Sequence, residues 1–341
     1  MLVRADYIWL DADGNVREKT RIDTAEEFPV WTFDGSSTGQ SETRTSDLLL
    51  KPVRTYTVPV NAANAEFKAH HIVLCEVLNA DGTPHATNHR HRCMEIMAAA
   101  TEYEPLFGIE QEYVITQLGM DREITPYRWY TPAMPYPKAK QGPFYCSVGG
   151  TRAFGREIVE DHIRACLAAG IKLCGVNAEV MPSQWEFQIG PLAGDRVADD
   201  LIVARYLLAK VAEKHRADIS FHPKPVVGWN GSGGHTNFST KAMRDASAEA
   251  MEAILEGCRK LETKHEEHMA VYGADNDKRM CGAFETSDPS KFSYGVGDRS
   301  CSVRIPQHVA IAGKGYLEDR RPAANMDPYL VCGKIVETVC L

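Results

Sequence analysis

No apolar stretch of this chain approaches the roughly eighteen residues that a membrane-spanning helix needs, so a membrane-embedded protein is not expected. An excess of positive charge is also missing. The formal net charge is −8, which argues against a sequence-independent grip on nucleic acid or on an anionic membrane, and neither is expected as a partner. None of the ten cysteines, scattered from Cys75 to Cys340, falls in a C-x-x-C pair, and the opening "MLVRADYIWLDADGN" lacks the long apolar run of a secretion signal. A reduced, cytoplasmic chain is expected. Short-period repeats and low-complexity tracts are absent, as are the Walker pattern GxxxxGK[ST] and the dinucleotide fingerprint GxGxxG. A nucleotide, if bound, is held another way.

What is present is ordinary for a globular protein, with 44% hydrophobic and 25% charged residues over 341 positions. That length supports a large core and about two domains. The first eighty or so residues read as β-structure. "YIWLDADGNVREKTRI" sets Asp13-Gly14 between two strand-like runs, a hairpin signal, and "RTYTVPV" and "HHIVLCEVL" follow as further strands. Thr87 or Asn88 can then cap a helix through "HRCMEIMAAATEY", which places a domain boundary near residue 85 and divides the chain into 1–85 and 86–341. Beyond it, Phe154, Ile158, His162 and Cys166 form one stripe of a helix over Phe154–Ala169, closing at Gly170. Further helices are expected at about 196–216, 245–270 and 326–340, with strands at "FGIEQEYVI", "SQWEFQIG", "GHTNFST" and "SCSVRIP". The order is mixed α+β, without the regular alternation of a doubly wound sheet.

Several of these segments carry carboxylates where strands would carry apolar side chains. In "GIEQEYVI", Glu110 and Glu112 point to one face of a strand about 6.6 Å apart. At an effective dielectric near 20 their repulsion costs roughly 2–3 kcal/mol. Either water screens both on a solvated face, or a cation sits between them. Glu179 stands near a Pro-containing turn, and Glu186 lies between Trp185 and Phe187, where desolvation is costly without a partner. "GWNGSGGHTNFS" brings glycines up to His235, with Asn237 and Ser239 following on the same strand face. With Glu318 in "GYLEDRRPAAN", Glu110, Glu112, Glu179, Glu186 and His235 make six candidate ligands. Hard oxygens with a single imidazole suit Mg²⁺ or Mn²⁺ better than Zn²⁺, and six ligands point to two or more ions.

Opposite charge comes late in the chain, in Arg279, Arg299, Arg304, Arg320 and Arg321. Guanidinium forks bind carboxylate and phosphate bidentately, although surface salt bridges are the plainer reading of any one arginine. In an ideal strand Arg299 and Arg304 would face opposite sides, so one of them is expected on a turn. Carboxylate-held ions with an arginine cluster and no P-loop point to phosphoryl transfer on a non-standard nucleotide scaffold. Paired carboxylates also fit a glycosidase, which leaves the arginines unexplained. "HEEH", from His265 to His268, lacks the i, i+4 histidines of a zincin and reads as a solvated helix face. "DGSST" reads as a turn in which Asp34 supplies a carboxylate.

"FDGSSTGQSE", "GIEQEYV", "NAEVMPSQWEFQIGP", "NGSGGHTNFSTKAMR", "DRSCSVRIP" and "GYLEDRRPAAN", in that order, together resemble glutamine synthetase in its shorter, eukaryotic-like (type II) form, with a bacterial source expected. The resemblance implies a small β-grasp-like N-terminal domain and a larger catalytic domain whose curved, mostly antiparallel sheet forms a funnel flanked by helices. It implies a homo-oligomer of two stacked pentameric rings with sites between subunits. It implies Glu112, Glu179 and Glu186 on one metal, and Glu110, His235 and Glu318 on the one facing the phosphates. Arg299 and Arg304 would bind ATP, with Asn237 and Ser239 near the nucleotide. Arg279, Arg299 and Arg320 would clamp L-glutamate, assisted by backbone at Gly231. Glu285 would sit on a flap, and Asp34 of the adjacent subunit would bind and deprotonate ammonium beside Trp31. The reaction implied is ATP-dependent ligation of ammonia to glutamate through γ-glutamyl phosphate. Phe284 stands where many type II relatives carry His, which keeps open a γ-glutamyl ligase acting on an organic amine such as methylamine or a polyamine. A non-enzymatic relative would have lost ligands, and all six are present.

Overall fold

The computed structural model describes residues 2–60, 65–117, 126–127 and 142–341. Strands β1 (Leu2–Leu10), β2 (Val16–Asp23), β3 (Trp31–Asp34), β4 (Asp47–Val58) and β5 (Phe67–Leu78) form one sheet in the order β2-β1-β5-β4-β3. The β1–β2 hairpin forms as expected, and its connection is organised by Asp11, whose carboxylate accepts from the Asp13 and Asn15 amides at 3.0 and 2.9 Å. Gly14 supplies the positive φ of 78° that this turn requires. β1 pairs in parallel with β5 at the centre of the sheet, and both its faces are covered. Ala5, Tyr7 and Trp9 enter a small core with Phe33, Leu50 and Val73, while Ile8 joins the main core. Burial on both faces is why "ADYIWL" carries no simple alternation.

Asn88 caps the helix α1 (His89–Ala99) by accepting from the His91 amide, which selects between the two expected caps. The second sheet contains β6 (Leu106–Gln117), β7 (Leu173–Ala178), β8 (Gln184–Ala193), β9 (Ala217–Ser220), β10 (Gly234–Ser239), β11 (Tyr294–Val296), β12 (Val303–Ile305) and β13 (Leu317–Asp319). Its order is β11-β12-β13-β10-β6-β8-β7, with β9 also on β6; all its pairings are antiparallel except β11 with β12. One face of this sheet packs on α2 (Arg156–Ala168) and the long α3 (Gly194–Lys214). The last helix spans Pro328–Val339.

Three expectations are corrected. Phe154 precedes α2 and packs instead with Phe144, Met181 and Trp229, because Gly155 has a left-handed φ of 81° that keeps it out of the helix. The helix expected over 245–270 is two, Ala250–Thr263 and His265–Met269, divided at Lys264. The "HEEH" face is not solvated throughout. His265 and His268 lie three residues apart and so share the inward side, leaving only Glu266 and Glu267 exposed. His268 is fully buried, with Nδ1 2.6 Å from the Tyr272 hydroxyl and Nε2 2.9 Å from Thr338 Oγ1.

The first sheet is tied to α3 by charge. The buried Asp199 carboxylate accepts from Arg54 Nε at 2.7 Å, Arg90 Nε at 2.9 Å and the Tyr329 hydroxyl at 2.7 Å. Next to it Asp200 accepts from the Tyr56 hydroxyl at 2.8 Å. Asp199→Ala leaves two cations and a hydroxyl without their acceptor, and is expected to lower the unfolding free energy by about 3–5 kcal/mol in chemical denaturation. Glu252→Ala, on an exposed helix face, should change it little.

Candidate active site

The second sheet turns its other face to an open cavity of about 440 Å³. Strand register decides what stands in it. On β6, Glu110 and Glu112 share that face; Glu110 lies opposite His235 of β10, and Glu112 opposite Glu186 of β8. Glu318 of β13 lies opposite both Arg304 of β12 and Asn237 of β10. Glu179 follows the end of β7, where Asn177 lies opposite Glu186. Five carboxylates from four stretches of chain, with His235 from a fifth, thus meet on one wall.

Twelve of the residues expected at a site line this cavity: Glu110, Glu112, Glu179, Glu186, Gly231, His235, Arg279, Glu285, Arg299, Arg304, Glu318 and Arg320. Asn237 and Ser239 line an adjoining, more apolar cavity of about 380 Å³ that shares Glu110 and Gln188 with the first. Asn237 Nδ2 donates to Glu110 Oε1 at 2.9 Å, whereas the Ser239 hydroxyl donates to the Gly315 carbonyl at 2.6 Å. Arg321 turns away into a fully buried pair with Asp319, the distance being 2.7 Å. Asp34 and Trp31 line neither cavity. Asp34 is exposed and caps a 3-10 turn, accepting from Ser36 N at 3.0 Å and Ser37 Oγ at 2.8 Å. Trp31 stacks edge-on against Tyr7. Arg299 does lie on a turn, between β11 and β12, as the strand argument required.

The carboxylates are held in two different ways. Glu318 is bound by cations, Arg304 Nη1 at 2.9 Å and Arg320 Nη1 at 2.6 Å. On the other side the donors are neutral. Gly233 N donates to Glu112 at 2.7 Å, Asn177 Nδ2 to Glu179 at 2.9 Å and Gln188 Nε2 to Glu186 at 2.6 Å. Among the described residues, Glu110, His235 and Glu318 bring ligand atoms within 4.8 Å of one another, and so do Glu112, Glu186 and His235. His235 belongs to both groups, while Glu179 stands outside this close grouping. The donor set fits hard divalent cations: carboxylate oxygens, one imidazole and too little positive charge to neutralise them.

Arg279 is buried and spends much of its fork on main chain, with Nη2 donating to the carbonyls of Arg320, Arg321 and Pro322 at 3.1, 2.6 and 3.2 Å. It leaves no room at Gly231, where an added Cβ would stand 2.4 Å from Arg279 Cγ. Buried polar atoms without a hydrogen-bond partner remain at the cavity, namely Asn230 Oδ1, Arg304 Nε and Arg320 Nε. Over the rim, Phe284 and Glu285 adopt consecutive positive φ values of 55° and 61°, a strained arrangement for residues with side chains. Arg320 Nη2 donates to the Glu285 carbonyl at 3.3 Å, and Lys224 Nζ sits 4.2 Å from the centre of the Phe284 ring.

Tyr145, Asn177, Gln188, Asn230 and Thr286 also line the cavity and were not expected there. Two signals were available. Gln188 is two residues from Glu186 on one strand and so shares its face, and Asn230 directly precedes Gly231.

Burial, followed by the neighbouring Glu112 carboxylate, pushes Glu179 up to about 8. Burial, followed by Glu110, Glu112 and Glu179, pushes Glu186 up to about 9. Both therefore keep their protons at neutral pH without a cation. The unfolded chain releases them near the ordinary value of 4.5, so the folded state binds more protons between there and about 9. Stability of the cation-free protein must then fall as pH rises through that window. In chelator, the thermal midpoint is expected to drop between about pH 6 and pH 9, and Mn²⁺ added near pH 7 should release protons, read as buffer-dependent heat in titration calorimetry. A heat independent of buffer would mean that both carboxyls are already ionised.

Comparison with known proteins agrees with this geometry. Residues 88–340 match the profile of the glutamine synthetase catalytic domain, and residues 2–80 that of the glutamine synthetase beta-Grasp domain. Among curated proteins, glutamine synthetase of Tuber borchii is 49% identical over 99% of this chain and 92% of its own length. That of Agaricus bisporus is 48% identical over 99% of this chain and 94% of its own length. A solved glutamine synthetase from Plasmodium falciparum, 18% identical, superposes with a TM-score of 0.79 over 99% of this chain and 71% of its own, which shows a shared fold. A β-grasp domain, a curved antiparallel sheet with an acidic wall, and two matching profiles that together span nearly all of the sequence lead to one conclusion: this chain belongs to the glutamine synthetase family.

Proposed function

We propose that this protein ligates ammonia to L-glutamate at the expense of ATP, giving glutamine, ADP and phosphate. The observation that carries the reading is the meeting, in one cavity, of five carboxylates and His235 with Arg279, Arg299, Arg304 and Arg320. Glutamate and ATP are both anionic, and each needs a cationic partner that the acidic wall alone would repel. Divalent cations, Mg²⁺ or Mn²⁺, bound to that wall would supply charge neutralisation for the phosphates. Glu110, His235 and Glu318 would hold one, and Glu112, Glu186 and Glu179 the other.

The protein's own groups then do the rest. Arg299 and Arg304 receive the γ-phosphoryl group as it leaves ADP, and Arg320 with Arg279 orients the substrate glutamate, helped by the backbone at Gly231. The adjoining apolar cavity, with Asn237 and Ser239 in its wall, suits the base and ribose of the nucleotide. The glutamate γ-carboxylate oxygen takes the phosphoryl group, forming γ-glutamyl phosphate; ammonia attacks the acyl carbon, and phosphate departs with the C–O bonding pair. Water is the competing nucleophile at that carbon, so a strained rim carrying Glu285 has a physical reason to cover it.

Asp34, exposed and outside the lining of its own chain's cavity, fits a role in the site of a neighbouring copy, where it would bind ammonium and accept its proton beside Trp31. The eukaryotic-like type II form draws support from the fungal relatives at 48–49% identity, and two stacked pentameric rings would follow from that form. The division into domains at 1–85 and 86–341 draws support from the two profile matches, which end at 80 and begin at 88. A cytoplasmic setting fits ten free cysteines.

Phosphate release from ATP and glutamate is expected to depend on ammonium and on Mg²⁺ or Mn²⁺, with glutamine as product, and to be lost in Glu186→Ala. Faster turnover with methylamine or a polyamine would move the activity to a γ-glutamylamide ligase and point to Phe284. Co-assembly of inactive Asp34→Ala and Glu186→Ala protomers in equal amounts should restore about a quarter of wild-type activity, because one site in four then draws an intact Asp34 from one protomer and an intact Glu186 from the next. Hybrids that stay inactive would place Asp34 outside the reaction or within its own subunit's site.

A further inference from the structure

β6 has a second face, away from the cavity, and Gln111 occupies it between the two glutamates. Its partner there is Arg205 of α3, itself only 7% exposed. Arg205 Nε and Nη2 both donate to Gln111 Oε1, at 2.9 and 2.5 Å. Nη2 also donates to the Ala324 carbonyl and Nη1 to the Met326 carbonyl, each at 2.9 Å. Phe221 presents its ring 5.1 Å from the guanidinium carbon. Among the described residues no carboxylate lies within ion-pair distance of this cation. A buried charge bonded only to neutral oxygens is expensive to keep, and no ion pair offsets it here. What it secures is geometry on two separate pieces of the site.

The first piece is Glu112. Gln111 Nε2, oriented by Arg205, donates to the Glu112 carbonyl at 2.8 Å and to the Ala324 carbonyl at 3.0 Å. The Glu112 amide in turn donates to the Gly233 carbonyl at 3.0 Å, and Gly233 N donates back to the Glu112 carboxylate at 2.7 Å. The second piece is the chain that leaves Arg320. Arg279 grips the carbonyls of 320, 321 and 322 from the cavity side, and Arg205 grips those of 324 and 326 from the helix side. Ala324 N closes the circuit by donating to the Ser232 carbonyl at 3.0 Å.

We infer that Arg205 is a positioning residue for the ion-binding wall: through Gln111 it sets where the Glu112 carboxylate stands, and through Ala324 and Met326 it sets the course of the segment that carries Arg320. The inference rests on reading the acidic cavity as a divalent-ion site. Arginine is required because three acceptors on two segments need a rigid planar fork, which the single ammonium of lysine cannot reproduce. Groups that orient a metal ligand without touching the ion commonly contribute 10–100-fold to its affinity, and that range sets the expected effect.

The test is Mn²⁺ binding to the assembled protein, followed by the loss of the free-ion signal in electron paramagnetic resonance, for the wild type and Arg205→Lys. Arg205→Lys is expected to bind Mn²⁺ about tenfold more weakly. Its KM for glutamate should rise as well, because Arg320 is displaced. An unchanged Mn²⁺ titration accompanied only by a lower thermal midpoint would overturn the inference and leave Arg205 a packing residue. Failure of the wild type to bind Mn²⁺ would instead strike the ion-site reading itself. If Arg205→Lys does not fold, hydrogen exchange on the wild type decides: Mn²⁺ should slow exchange at the amides of 323–326, and protection confined to the cavity-facing strands would overturn the inference.

Discussion

Like-charge crowding on one sheet face is the constraint around which this protein is built. Two carboxylates 4–5 Å apart repel by roughly 3–4 kcal/mol at an effective dielectric near 20, and this wall holds five of them with one imidazole. The repulsion is not relieved evenly. Glu318 rests on two guanidinium groups, whereas Glu112, Glu179 and Glu186 are held by an amide N–H and by neutral carboxamides. Without a cation the neutral side responds in the only way open to it, by keeping protons on Glu179 and Glu186. On the proposed reading, the arginines would be the groups that receive phosphate and glutamate.

Holding such a wall demands rigidity behind it. The strands that carry the carboxylates are backed on the opposite face by Ile109, Tyr113, Phe187 and Ile189, all but fully buried against the helices. Arg205 and Arg279 add hydrogen bonds to main-chain carbonyls rather than to other charges, so they constrain the path of the chain on either side of Arg320. Asp199 and Asp200 extend the same scheme to the first sheet, tying it to α3 through Arg54 and Tyr56. One helix therefore joins the β-grasp sheet on one side and the strand of Glu110 and Glu112 on another. The rim is held differently: Phe284 and Glu285 carry backbone strain, and Arg320 donates to the Glu285 carbonyl.

Much of the site was legible because strand geometry is a strict rule. Alternation placed Glu110 and Glu112 together, put Asn237 and Ser239 on the face of His235, and required one of Arg299 and Arg304 to lie on a turn. The misreadings have equally definite causes. "HEEH" looked solvated because its charges suggested water on every side, yet three-residue spacing turned both histidines inward. Asn177 carries no charge to mark it and reaches the wall through the pairing of β7 with β8, whereas Gln188 and Asn230 were marked only by their nearness to Glu186 and Gly231. Arg205 was hidden for the opposite reason, since an arginine in a helix ordinarily reads as a surface residue.

By itself the sequence determined which chemistry was possible: an oxygen-rich ligand set with one imidazole, a cluster of arginines and no P-loop. It did so because ligand type and side-chain charge are properties of residues. Tertiary structure decided how those groups are shared. It placed His235 within reach of both carboxylate groups, gave Glu318 the arginines that Glu112 and Glu186 lack, and put Gln111 in the grip of Arg205 behind the wall. Those outcomes depend on the alignment of β6 with β8, β10 and the segment after β13, and strand register between distant segments is set by packing of the whole sheet rather than by any local run of residues.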